Sequence, residues 1–299
     1  MKIIRMNSGL ADQIRQYSFY RYAELTHPND DWVIDDSPMH ISSKQNGYQL
    51  ETVFGLKPNL LSQQFDDDIW KYMLDTIISK NILMPQLLRQ NGMNDLIMIT
   101  DQMDNYAFDG TILRMSPSAG FHPRVLDING NVYYHAYYGT FSYFNEYREV
   151  FLKELAFPEI VDENNLKYKK MILEAENPTA IHIRRGDFLT VNRYAGDKYF
   201  KFAMTEMKKV IPNMTLFVFS DDMRYCKKNQ QRLGLDLSEQ IIFVEGNQNC
   251  EYEYRDCQLM SYCQNFILCG SGFSALAVQI SHNVNFIFGL DGIMHKYAN

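Results

Sequence analysis

The sequence predicts an α/β protein in which short strands alternate with covering helices. Three observations carry that expectation. Apolar, β-rich runs such as Lys2–Met6, Ala180–Ile183 and Thr215–Phe219 are separated by stretches whose apolar residues recur at helical spacing. Several runs lead into turn-forming sequence, Asn7-Ser8-Gly9, Arg185-Gly186-Asp187 and Gly270-Ser271-Gly272, as strands feeding helices do. The chain has 299 residues, enough for two domains of ordinary size.

Lys2–Met6 reads as the first strand, and 7–13 as a turn opening a helix that buries Ile14, Tyr17 and Leu25. Trp32–Asp35 reads as a second strand, 51–95 as helical and connecting, and Leu96–Ile99 as another strand. Asp66-Asp67-Asp68 contains the Asp-x-Asp spacing of some metal sites. It precedes a helix-like run (Ile69, Met73, Ile77), where acidic residues are favoured by capping and by the helix dipole, and a helix start is the preferred reading. Residues 133–144 form the most aromatic segment, with sheet packing expected for most of its rings. A charged helix, 146–154, follows and is closed by Phe157-Pro158. The stretch through Asn165 reads as a connection, giving domains 1–165 and 166–299.

In the second half, Ala180–Ile183 reads as a buried strand ending in Arg184 and Arg185, with Gly186 permitting a sharp turn. Paired guanidiniums at a strand end suit a diphosphate, because they are always charged and bind oxyanions with two hydrogen bonds. Ligands of open α/β sheets also sit outside the carboxyl ends of strands. An ordinary polar turn with surface ion pairs accounts for the same residues. Tyr199, Phe200, Ala203, Met204, Met207, Val210 and Ile211 recur at helical spacing until Pro212. Thr215–Phe219 reads as a strand ending in Ser220-Asp221-Asp222, carboxylates that either cap the next helix or serve the arginines. Ile241–Val244 and Phe266–Cys269 complete the strands. Gly270-Ser271-Gly272 then opens a helix from about Phe273 to Ser281, whose N-terminus offers backbone N–H groups to a phosphate.

Composition narrows the partners. The net charge is −7, which disfavours a nucleic-acid surface or a strongly anionic membrane as main partner, so any nucleotide must be held by local positive charge. The five cysteines, Cys226, Cys250, Cys257, Cys263 and Cys269, form no Cys-x-x-Cys pair and read as mostly buried thiols in a reducing compartment. No signal-like start and no run of about 18 apolar residues occurs, so a cytoplasmic protein without a transmembrane segment is expected, with peripheral membrane association left open.

His182-Ile183-Arg184-Arg185-Gly186-Asp187-Phe188 resembles motif I of the α-1,2-fucosyltransferases, glycosyltransferase family 11, whose usual form is His-x-Arg-Arg-Gly-Asp-Tyr. Three further stretches resemble the family in the right order. Gly9, Leu10, Gln13, Gln16 and Tyr17 match its first loop, with Ser8 and Ala11 replacing two glycines and Asp12 standing where Asn is usual. Phe217 to Asp222 matches its second motif, Phe-x-Phe-Ser-Asp-Asp. Asp256 through Ser274 resembles its third, but Ala275-Leu276-Ala277 stands where Trp-Trp-Gly is usual.

The resemblance implies a GT-B-like fold of two Rossmann-like domains facing across a cleft, with the acceptor side in the first and GDP-fucose in the second. It implies inverting transfer of L-fucose from GDP-β-L-fucose to a sugar hydroxyl, α-1,2 to galactose, on an oligosaccharide acceptor, in a bacterial or viral setting. Arg184 would stabilise the departing diphosphate and Asp221 would hold Arg184. Donor binding falls to His182, Arg185, Asp256 on the guanine, Ser271, Gly272 and Ser274 near the phosphate, and Gly9. Asp187 and Asp12 are candidates for the base, and no cofactor or metal is expected. Two alternatives stay open: another nucleotide sugar on the same scaffold, and a non-catalytic binding relative.

Overall fold

The computed structural model describes residues 1–41, 47–102, 107–115, 121–138, 141–248 and 251–297. Cys250, Gly139 and Thr140 lie outside them.

The chain divides into two compact units, Met1–Phe157 and Pro158–Asn299. The boundary thus falls at Pro158 rather than after Asn165. The reason is local: Arg255 donates from Nη1 to the Pro158 carbonyl at 2.6 Å and from Nη2 to the Glu159 carbonyl at 2.9 Å, tying the connecting stretch to the second unit. Asp162 then caps the helix Glu163–Glu174 by accepting from the Asn165 N–H, so the expected connection ends in the first turn of a helix.

The N-terminal unit is built on strands β1 (Lys2–Arg5), β2 (Trp32–Asp35), β3 (Ile97–Thr100), β4 (Ile112–Arg114) and β5 (Val132–His135), in the spatial order β2-β1-β5-β3-β4 and all parallel. β5 shows why the aromatic segment is so rich. Its four residues are buried between β1 and β3, and Tyr133 and Tyr134 reach opposite faces of the sheet. Phe19, from the helix Leu10–Thr26, lies 4.1 Å from the Tyr138 ring and 5.2 Å from the Tyr134 ring, which closes one face. Asp66, Asp67 and Asp68 are exposed at the start of the helix Asp67–Lys80, where Asp66 is the N-cap.

The C-terminal unit carries β6 (Pro178–Ile183), β7 (Thr215–Ser220), β8 (Gln240–Phe243), β9 (Asn265–Ile267), β10 (Phe286–Phe288) and β11 (Met294–Lys296), in the order β11-β10-β9-β6-β7-β8. Only β11 runs antiparallel. The central β6 is buried along its length, as a strand covered on both faces must be. Helix Asp197–Val210 buries Phe200, Ala203, Met204 and Met207 against this sheet, each large side chain contributing about 1.5–3 kcal/mol. Both units are therefore α/β with predominantly parallel sheets, the class the sequence predicts. Among the described residues no helix is long and apolar enough to cross a membrane.

Candidate active site

The carboxyl ends of β6 and β7 lie side by side because the two strands pair in register from Pro178–Thr215 to Ile183–Ser220. Ser220 locks them, its hydroxyl donating to the Ile183 carbonyl at 2.6 Å. This delivers Asp221 under the turn after β6. Its Oδ1 accepts from the Arg185 N–H at 2.8 Å and its Oδ2 from the Gly186 N–H at 3.1 Å. A Cβ on Gly186 would sit 2.9 Å from Asp221 Oδ2, so glycine is needed for this close approach rather than for an unusual φ.

Arg184 is held from two sides. Its Nε donates to Asp187 Oδ1 at 2.8 Å and lies 3.1 Å from Asp221 Oδ2. Burial opposes its charge, but Asp187 and Asp221 outweigh that and strengthen it. Burial likewise works to raise the Asp187 carboxyl, and the Arg184 hydrogen bond and charge hold it below the usual carboxylate range. Asp187 is therefore an ionised partner of Arg184 and a weak proton acceptor.

One cavity gathers His182, Arg184, Ser220 and Asp221 with Gln248, Glu253, Asp256 and Phe273. Asp256 is buried, with both oxygens engaged: Asn247 Nδ2 donates to Oδ1 at 2.8 Å and Gln248 Nε2 to Oδ2 at 3.0 Å. Asn247 is itself paired with Asn165 by two reciprocal amide bonds of 2.8 and 2.9 Å. Burial, with Glu253 adding repulsion, raises the Asp256 carboxyl to about 7 despite those amides. His182 goes the other way, pulled down to about 3 by burial and by the Arg184 charge. The cavity thus holds a fixed cation, a neutral imidazole and a carboxyl poised near neutrality. That combination can bind and stabilise a dianion while reading a polar edge beside it.

The adjacent arginines part company. The Arg185 guanidinium carbon lies 3.3 Å from the Tyr225 ring centroid and 4.9 Å from that of Tyr194, while its Nε donates to Asp222 at 3.0 Å. Tyr194 and Tyr225 both donate to Asp197, which also pairs with Arg232. The physical reason is alternation at a strand end: successive side chains leave on opposite faces, so only one of two neighbours enters the cavity. Of the serine-rich turn, Ser271 caps the helix Gly272–Ile280, and the Ser274 hydroxyl donates inward to the Ser271 carbonyl at 3.2 Å. Phe273 is the residue of this turn that lines the cavity, with Gly272 as the first helical residue.

Gly9 and Asp12 belong to the N-terminal unit. Gly9 is the N-cap of Leu10–Thr26 in extended conformation, and Ser8, with φ 68°, takes the left-handed position. Gln13 stitches this loop, donating to the Ser8 carbonyl at 2.9 Å and the Gly47 carbonyl at 2.7 Å. Asp12 pairs with Arg15.

The profile of glycosyl transferase family 11 matches residues 119–286, more than half of the chain. The chain belongs to glycosyl transferase family 11. It is 29% identical over 155 residues to an α-1,2-colitosyltransferase of Escherichia coli, covering 49% of this chain and 50% of that one. It is 33% identical over 113 residues to the O-antigen biosynthesis glycosyltransferase WbnK of Escherichia coli, covering 36% and 35%. The chain thus matches about half or less of these curated relatives' lengths. Among solved structures it resembles the fucosyltransferase NodZ from Bradyrhizobium, with TM-score 0.55 and 13% identity over 100% of this chain and 98% of that one. NodZ α-1,6-fucosyltransferase soaked with GDP-fucose gives TM-score 0.52 at 14% identity, covering 99% of each. At such identity the likeness establishes the two-domain α/β fold alone.

Several residues of this family-11 cavity escape sequence reading. Gln248, Glu253 and the Asn165–Asn247 pair are ordinary polar residues in sequence. The one available signal is the run of amides in Gly246-Asn247-Gln248, next to a motif already suspected.

Proposed function

We propose that this protein is a metal-independent, inverting glycosyltransferase that moves L-fucose from GDP-β-L-fucose to a sugar hydroxyl, α-1,2 to galactose. The observation that carries the reading is Arg184, clamped between Asp187 and Asp221 in the same cavity as Asp256. Family membership and the GDP-fucose named for the NodZ structure supply the donor.

In this reading Arg184 faces the diphosphate and neutralises the charge that grows as the glycosidic bond breaks. Because the clamp fixes the guanidinium beforehand, little reorganisation accompanies the transition state. A cation covalently part of the chain takes the place a divalent ion fills in other transferases. His182 and the Gly272 N–H at the start of the helix Gly272–Ile280 offer neutral donors to the remaining oxygens. Asp256, once ionised, accepts from the guanine N1–H and 2-amino group, with Asn247 and Gln248 holding its plane. Asp187, committed to Arg184, serves poorly as base, and an oxocarbenium-like path with late proton loss needs little base strength.

A second reading keeps the cavity and changes the sugar. A relative named for colitose transfer and Ala275-Leu276-Ala277 after Ser274 both support a different deoxyhexose donor or acceptor. Donor hydrolysis and transfer, screened with GDP-fucose, GDP-mannose and UDP-sugars in EDTA, separates the readings. Turnover of GDP-fucose that survives chelation is expected. Turnover confined to another nucleotide sugar, or lost in EDTA, rejects the first.

A further inference from the structure

We propose that Cys269 is a positioning residue that holds His182 in the tautomer protonated on Nε2, so that the ring donates a hydrogen bond into the Arg184 cavity. The functional half of this inference rests on reading that cavity as a nucleotide diphosphate site.

Cys269 Sγ lies 3.5 Å from His182 Nδ1, with both side chains buried. Backbone N–H groups of Arg184 and Ser271 bond the sulfur, using it as acceptor, and the Ser274 side chain is a further partner. Burial pushes the thiol up, so its hydrogen stays in place and can go to His182 Nδ1 or to the Ser274 oxygen; the imidazole, the stronger acceptor, takes it. A thiol facing Nδ1 makes that nitrogen the acceptor. Because burial and Arg184 keep the imidazole neutral, it has a single N–H proton, and that proton goes to Nε2. Phe273 packs beside the imidazole at 5.9 Å between ring centroids.

The consequence is chemical economy. Beside the fixed charge of Arg184 the site gains a neutral N–H donor, able to bond a diphosphate oxygen with no second cation and no proton to lose near neutral pH. One sulfur also links the end of β6 to the turn that starts Gly272–Ile280, so the cation and the helix N-terminus keep a common register.

The test uses the full chain labelled with 15N-histidine. Long-range 1H–15N correlation spectra distinguish Nδ1–H from Nε2–H, and His182→Gln identifies the signal among the seven histidines. The wild type is expected to show Nε2–H between pH 6 and 8. Cys269→Ser, whose hydroxyl donates in the same way, keeps that signal, and Cys269→Ala gives a mixture. GDP titrated calorimetrically should bind about 5- to 10-fold more weakly to Cys269→Ala, with Cys269→Ser restoring most of the loss. An Nδ1–H signal in the wild type overturns the inference, whatever the variants do. So does a Cys269→Ala protein with unchanged tautomer, or with a changed tautomer and undiminished GDP affinity. If Cys269→Ala fails to fold, the wild-type spectrum and Cys269→Ser decide. A wild type that shows Nε2–H but binds no GDP removes the nucleotide reading and leaves the tautomer assignment standing.

Discussion

The two units each lead from a buried strand into a helix through a tight loop, and the loops are held by different chemistry. After β1 the stitching is neutral: Gln16 donates to Asn7 Oδ1 at 2.7 Å, and Gln13 donates to two carbonyls while accepting from the Gln49 N–H at 2.8 Å. After β6 it is ionic: one carboxylate, Asp221, accepts two backbone N–H groups and an arginine. Amide stitching fixes backbone at small electrostatic cost and leaves a weakly polar surface. Carboxylate stitching fixes backbone and a cation together, which is what an anionic ligand requires. A shared topology therefore carries a neutral loop in one unit and a charged one in the other.

The largest expected effect breaks this contrast at its cation. Arg184→Ala should lower turnover roughly 10²–10³-fold, as loss of one preorganised donor to a developing anion does. The circular dichroism spectrum and melting temperature should stay close to wild type, because Asp221 keeps its two backbone partners. Arg185→Lys sharpens the point. Its guanidinium is sandwiched by Tyr194 and Tyr225, so the substitution should cost about 1 kcal/mol of stability and change GDP affinity less than Arg184→Lys does. A larger loss of GDP affinity in Arg185→Lys would return that residue to the diphosphate.

Asp256 comes next. Its carboxyl is raised to about 7 in the folded chain from an ordinary value of 3.8, so between those values the native state binds the extra proton. Stability from this group is complete below about pH 4 and is lost as pH rises through about 7, at about 1.4 kcal/mol for each unit of separation. Burial of His182 has the opposite sign, costing stability as pH falls below its ordinary 6.5 toward about 3. Melting curves from pH 5 to 8 should therefore fall more for the wild type than for Asp256→Asn. Parallel profiles would mean that Asn247 and Gln248 keep the carboxylate ionised throughout.

Much of this was legible in the sequence, and the exceptions have physical causes. β6 and β7 are continuous apolar runs, the mark of strands covered on both faces, and their ends carry Arg184 and Asp221 as the spacing implies. β4, β10 and β11 escape notice because three residues are too few to show a period, whereas the equally short β9 is legible through the apolar run that continues past it to Cys269. Adjacent arginines look equivalent in sequence, and only the strand's alternation and the Tyr194–Tyr225 cage separate them. Cys269 reads as a buried hydrophobe because its role depends on a ring 87 residues earlier in the chain. The amide partners of Asp256 are hidden for the same reason: Asn165 and Asn247 meet across 82 residues.

The smallest effect tests the neutral loop. Ser8 holds φ 68°, a left-handed conformation that costs an L-residue on the order of 1 kcal/mol and that glycine adopts freely. Ser8→Gly removes that strain but loosens the unfolded chain, which offsets about 0.4–1 kcal/mol of the gain. Because Gln13 bonds the Ser8 backbone carbonyl rather than its hydroxyl, no hydrogen bond of the stitch is lost. The net should be a stabilisation below about 1 kcal/mol, read as a rise of a degree or two in melting temperature. A clear destabilisation would show that the Ser8 side chain itself helps hold the loop. The neutral unit would then rely on more than its glutamines, and the contrast with the charged loop after β6 would narrow.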